Sequence, residues 1–232
     1  MFYSCFHLEI PFYLRDYANI EKWILFNKTI LAAPLDSNPA NHRIATRIYF
    51  KLISMYCSDL TDGANYKGWA RAFRERFAQN IYNEVVGYLV NPLSDNEITA
   101  NIVTCIYNIV KNEKTRPLVE QSHCDAIIYQ YLLPFMQSTA EELALFSQET
   151  LEYIRRDEDI SCYTLRRNSL DLIKSLMVNT YYVEKSELIK FVEYAAQVFT
   201  GNFSDKQKEV VIVVLSTFFY ICSPSSSANH EK

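Results

Sequence analysis

From Ile20 to Leu31 the residues Ile20, Trp23, Ile24, Phe26, Thr29, Ile30 and Leu31 recur with a period of roughly 3.6 residues, which predicts a helix. The stretch APLDSNP (33–39) then stops it with two prolines. Ile44, Ile48, Tyr49, Leu52, Ile53 and Tyr56 form a second stripe, with Arg43, Arg47 and Lys51 on another side. CSDLTDGANYKG (57–68) reads as a polar loop. Beyond it Trp69, Phe73, Phe77, Ile81, Val85 and Leu89 recur every fourth residue, predicting one long helix that ends near Asn91-Pro92.

Ser94-Asp95-Asn96-Glu97 has the form of a capping box: the Ser94 hydroxyl is placed to accept from the amide three residues on, and Glu97 to reach back. Ile98, Ile102, Cys105, Ile106 and Ile109 make the stripe of the helix that follows. A further helix runs from Ser122 through Ile127, Ile128, Tyr131, Leu132 and Phe135, with Pro134 as a kink point. Thr139 and Glu142 repeat the capping logic. Leu165, Leu172, Ile173 and Leu176 mark another helix, as do Leu188, Phe191, Val192, Ala195 and Phe199, and Ser204 with Gln207 caps the last.

Helix pairs joined by short polar connections, at about 40 residues per pair, predict an all-α chain: an α-solenoid of HEAT/armadillo-like antiparallel helix pairs over residues 1–222. A compact helical bundle is the alternative. The tail SPSSSANHEK (223–232) is poor in apolar residues and is expected to be disordered.

Composition supports this reading. With 232 residues, 49% hydrophobic and 22% charged, the chain can bury a sizeable core, and four glycines are too few for the turns of an all-β domain. A net charge of −4 argues against a dedicated nucleic-acid binder, which needs a surplus of Lys and Arg. The six cysteines are far apart and form no CxxC pair, so reduced thiols in the cytosol or nucleus are expected. MFYSCFHLEIPFYLRD lacks the basic start of a signal peptide. The longest apolar run, Val210 to Ile221, is about 12 residues where a membrane span needs about 20. Asn27-Lys28-Thr29 and Asn202-Phe203-Ser204 match the glycosylation triplet, which has meaning only on the secretory route.

Little in the chain suggests chemistry. His123-Cys124-Asp125 groups three metal-ligand types, but neighbours on a helix point about 100° apart and do not converge on one ion. Phosphate-cradling, nucleophile-elbow and HExxH motifs do not occur. The acidic runs Glu141-Glu142 and Asp157-Glu158-Asp159 read as solvated turns rather than a carboxylate pair held in different environments. The 17 tyrosines fall within the helical stripes more often than beside Lys or Arg, so they suit core packing better than base stacking. No catalytic residue, cofactor or metal is predicted, and the chain is not expected to be an enzyme. The charged turn around Arg155, Arg156, Asp157, Arg166 and Arg167 is the candidate partner-binding site, because Arg offers bidentate contacts to acidic groups.

Part of the chain resembles a known family. Leu133-Pro134, Ala140-Glu141-Glu142-Leu143, Glu152-Tyr153-Ile154-Arg155-Arg156-Asp157 and Thr164-Leu165-Arg166-Arg167 follow, in order, a segment of the importin-beta superfamily of nuclear transport receptors. The resemblance is strongest to the branch of the importin-alpha re-exporter and importins seven and eight. IPFYLRDYANIEKWILFNKTILAAPL (10–35) is similar to the Leu-Pro, Asn-x-x-x-Trp and Pro-stop pattern of the same branch. Ser147 to Leu151 depart from the family, which usually has acidic residues and often Pro there. The resemblance implies a Ran-dependent carrier of protein cargo. Its partners would be cargo, Ran-GTP gripped mainly by repeats preceding this region, and Phe-Gly nucleoporins. Such a carrier works in cytoplasm and nucleus and at the pore. The family's receptors are several times longer, so the chain is expected to be an internal or truncated piece. The composition equally permits a cytosolic helical-repeat scaffold unrelated to transport.

Overall fold

The structure, a computed structural model, describes residues 12–34, 38–56, 67–90, 95–152, 165–178 and 186–221. The greater part of the 57–68 loop, the 223–232 tail and the acidic cluster 157–159 lie outside the described residues. Among the described residues the regular structure is entirely helical. Two compact units divide the chain, Met1–His123 and Cys124–Lys232.

The first unit begins with a 3-10 turn, Phe12–Arg15, and α1, Tyr17–Ala32. Asp16 caps α1 by accepting from the Ala18 amide at 3.0 Å, satisfying one of the amides that have no partner inside the helix. α2 spans Pro39–Tyr56, its proline set where a missing N–H costs nothing. The His42 ring, buried between Ala33 O at 2.9 Å and Asn38 O at 3.1 Å, ties the connection between the two helices. The core face of α2 is Ala45, Ile48, Tyr49, Leu52, Ile53 and Tyr56. Ile44, expected in that stripe, is 52% exposed, because position 45 carries the inward direction at the start of the helix.

The stripe with a repeat of four meets a geometric difficulty. In an α-helix four residues turn about 400°, so a face repeating every fourth residue drifts by about 40° at each step. The chain answers with a π turn, Arg74–Ala78, between α3, Lys67–Phe73, and α4, Gln79–Val90. The wider i→i+5 turn takes up part of the drift. Phe73, Phe77, Ile81, Val85 and Leu89 are all buried as a result. Trp69 lies edge-on to Tyr56 at 4.6 Å and stacks on Phe73 at 5.5 Å, which in turn meets Tyr56 at 5.4 Å.

α5, Asn96–Lys111, packs against both α2 and α4 and buries nine side chains, more than its neighbours, so it is the centre of this unit. Its cap differs from expectation. Asp95, not Ser94, is the N-cap residue, accepting from the amides of Glu97 at 2.9 Å and Ile98 at 3.1 Å. Glu97 pairs with Arg43 and Arg47 of α2. At the other end Arg116, in a 3-10 turn at Arg116–Leu118, donates from Nε to Val110 O at 2.8 Å and from Nη2 to Lys111 O at 3.2 Å. The terminal carbonyls of α5 thus receive a buried cation.

The second π segment, Ala126–Leu132, lies between α6, Gln121–Asp125, and α7, Leu133–Phe135. Pro134 therefore stands in the last turn rather than at a mid-helix kink. A widened turn ahead of it suits a residue that has no N–H to give and whose ring crowds the preceding carbonyl. In this unit follow α8, Ala140–Gln148; α9, Leu165–Val178; α10, Ser186–Thr200; and α11, Asp205–Ile221. The capping box of Thr139 and Glu142 is present, with both bonds made, at 3.1 and 2.7 Å. Ser204 and Gln207 likewise exchange bonds at the start of α11.

The core of the second unit joins Ile128, Leu132 and Met136 with Leu172, Ile173 and Leu176 of α9, Phe191, Ala195 and Val198 of α10, and Val210, Val214 and Phe218 of α11. Val192 and Phe199, expected on the inner stripe of α10, are 52% and 47% exposed. The apolar part of that helix is wider than the face its neighbours cover. α8 buries none of its residues.

Candidate functional site

In the second unit Arg166, Lys206 and Glu209 meet Ser138 at the turn after α7. Ser138, 3% exposed, is placed there by the end of the helix at Phe135 and the capping box that begins at Thr139. Arg166, in the first turn of α9, donates from Nη1 to Ser138 Oγ at 2.9 Å and from Nη2 to Glu209 Oε1 at 2.8 Å. Ser138 Oγ donates to Glu209, with Oε1 at 3.0 Å and Oε2 at 3.2 Å. Lys206 Nζ donates to the Ser138 carbonyl at 2.9 Å. One guanidinium, one hydroxyl, one carboxylate and one ammonium thus fasten α9, α11 and the turn between α7 and α8.

A serine hydroxyl bonded to a carboxylate also occurs where a nucleophile is activated. Here the Oγ lone pair accepts from Arg166 and the hydroxyl lies beneath the surface, so the cluster works as a clasp. The planar fork of Arg166 makes this possible, because two parallel donors can serve Ser138 and Glu209 together.

Of the residues expected to meet a partner, Arg155, Arg156 and Asp157 lie outside the described residues. Arg166 turns into the clasp, and the half-buried Arg167 stands beside it in α9. Ser138, Lys206 and Glu209 escaped sequence reasoning. Ser138 and Glu209 are 71 positions apart, and nothing local marks either. The Thr139 capping box marks only the turn that holds Ser138.

The first unit carries a second charged network. Arg43 donates to Asp95 Oδ2 from Nε at 2.9 Å and from Nη2 at 2.7 Å, while Arg47 pairs with Glu97. Burial alone would raise the Asp95 carboxyl, but the Arg43 hydrogen bond and the amides of Ile98 and Glu97 prevail and hold it below the usual carboxylate range. Elsewhere in this unit Tyr49 donates to Ile24 O at 3.2 Å and to Glu84 Oε2 at 3.1 Å. Burial pushes the Glu84 carboxyl up, against the opposing pull of Tyr49 and Lys28. Burial pushes the Tyr49 phenol up more strongly, and Glu84 adds to it.

His123, Cys124 and Asp125 are used separately. The His123 ring lies 3.3 Å from the Tyr82 hydroxyl, Cys124 is buried and forms no disulfide, and Asp125 pairs with Lys190 at 3.3 Å. Among the described residues no group of three or more His, Cys, Asp or Glu could hold a metal ion. Of the two glycosylation triplets, Asn27 is fully buried in α1 and out of reach of a modifying enzyme, whereas Asn202 is exposed in the turn after α10.

Fold and site together define an all-helical protein whose charged clusters fasten helices to one another. No helix among the described residues is long and apolar enough to cross a membrane. Comparison of the chain with protein-family models, with curated proteins and with solved structures finds no match.

Proposed function

We propose that the chain is a stretch of α-solenoid made of HEAT/armadillo-like antiparallel helix pairs and serves as a segment of a nuclear transport receptor. The observation that carries this reading is the run from Leu132 to Leu176, with its Leu-Pro turn, Ala-Glu-Glu-Leu helix start, Glu-Tyr-Ile-Arg-Arg-Asp and Thr-Leu-Arg-Arg in family order. Packing of successive helices within each unit, α1 on α2, α4 on α5 and α10 on α11, supports the architecture. Such a protein acts mechanically: helix pairs form a curved spring whose faces bind protein cargo, Ran-GTP and Phe-Gly nucleoporins, with one ligand changing the affinity for another.

Exposed Ile189, Val192 and Phe199 on α10 provide an apolar strip of the kind that a phenylalanine side chain can dock on. Binding of the full chain to an immobilised Phe-Gly repeat fragment, compared with the same fragment carrying Ser for Phe, tests the reading. Retention on the first and not the second is expected. Equal behaviour on both would favour a helical adaptor unconnected with the nuclear pore.

A further inference from the structure

Inside the first unit one hydroxyl stands between two acceptors. The Tyr49 oxygen, on a fully buried side chain of α2, lies 3.2 Å from the Ile24 carbonyl of α1 and 3.1 Å from Glu84 Oε2 of α4. A phenol has one proton. Both bonds are therefore made in full only when a second proton sits on Glu84, which then donates to Tyr49 while Tyr49 donates to Ile24. The other carboxyl oxygen, Oε1, is buried and has no hydrogen-bond partner among the described residues. A neutral acid bears that position at lower cost than a carboxylate does. Burial pushes the Glu84 carboxyl up in the same sense, while Tyr49 and Lys28 oppose it. The groups around the pair are Lys28, exposed on α1, and Tyr88 on α4 itself, with the Cys105 thiol of α5 acting on Tyr49.

Loss of the proton changes the wiring. Tyr49 must then turn its single proton to the carboxylate, and the bond to Ile24 is given up. Asn27, three residues further along α1, adds no tie of its own: it is fully buried, and neither its amide oxygen nor its amide nitrogen has a partner among the described residues. We propose that Glu84 is a proton-operated fastener, which ties α4 through Tyr49 to the middle of α1 when protonated and lets that stretch of α1 open when ionised. A carboxyl raised in the folded state contributes stability that is complete below the ordinary carboxylate value and is lost as pH rises through the raised one. The fastener is independent of any role in transport.

Hydrogen exchange of the full chain between about pH 4 and pH 8, with each amide corrected for its intrinsic rate, tests this. Protection of the α1 amides around Ile24 should fall by up to about ten-fold per pH unit above the ordinary carboxylate value and then level off, while α5 keeps its protection. Glu84→Gln, whose amide supplies a permanent donor to Tyr49, should make α1 protection independent of pH. Asp95→Asn removes a carboxyl held below its usual range and should leave the α1 profile as in the parent. In the parent itself the side-chain carboxyl carbon of Glu84, followed by NMR, should titrate above the ordinary glutamate value, a reading that does not depend on any variant folding. Titration at or below that value, the same pH dependence of α1 in Glu84→Gln as in the parent, or an equal loss of protection in α5 would overturn the proposal.

Discussion

Arg166 shows how much a single side chain can depend on partners far away in sequence. Its guanidinium bridges Ser138 and Glu209, and its own side chain is only 17% exposed. Replacing it leaves the buried Ser138 hydroxyl and the partly exposed Glu209 carboxylate short of a donor. Arg166→Ala should therefore lower unfolding free energy by about 1–3 kcal/mol in urea titration. Arg166→Lys should recover less than half of this, because one ammonium cannot supply two parallel donors. Full recovery by lysine would mean that charge alone matters there. The presence of Arg166 was legible in the sequence; its inward direction was not, because it depends on Glu209, which only the folded chain brings near.

Helix ends and turns are where local rules were most reliable, and where one of them yielded to a tertiary contact. Thr139 with Glu142 and Ser204 with Gln207 cap as their spacing predicts. At α5 the same spacing pointed to Ser94, yet Asp95 has the role because Arg43 and Arg47 draw the nearby carboxylates toward α2. Asp95→Ala should cost about 1 kcal/mol through loss of the cap. Asp95→Asn keeps a capping oxygen and isolates the charge. Since the folded carboxyl lies below its usual range, its contribution is complete above the ordinary carboxylate value and is lost as pH falls through the lowered one. Acid unfolding should accordingly show a difference between parent and Asp95→Asn at pH 5 that disappears toward pH 2. Glycines give a second contrast. Gly87 is exposed inside α4 and a Cβ there meets nothing within 4 Å, so Gly87→Ala should stabilise by about 0.5–1 kcal/mol. At Gly201 a Cβ would lie 2.8 Å from Gln197 O and 2.9 Å from the Phe203 ring, so Gly201→Ala should lower the melting temperature.

At the scale of the whole molecule, the exposed strip of α10 is where the proposed role can be probed. If the chain carries Phe-Gly ligands there, Val192→Ser and Phe199→Ser should weaken retention on a Phe-Gly fragment without loss of helical circular dichroism, because neither residue is part of the core. Unchanged retention would move the contact elsewhere on the surface. The all-helical class, the positions of the helices and two of the three caps could be read from residue order, since the helical period and capping bonds involve groups a few positions apart. The burial of Ala45 rather than Ile44, the outward turn of Val192 and Phe199, and the clasp of Ser138, Arg166 and Glu209 were decided by folding. Each requires groups from separate helices, and which part of a wide apolar face is covered depends on the neighbour that packs against it.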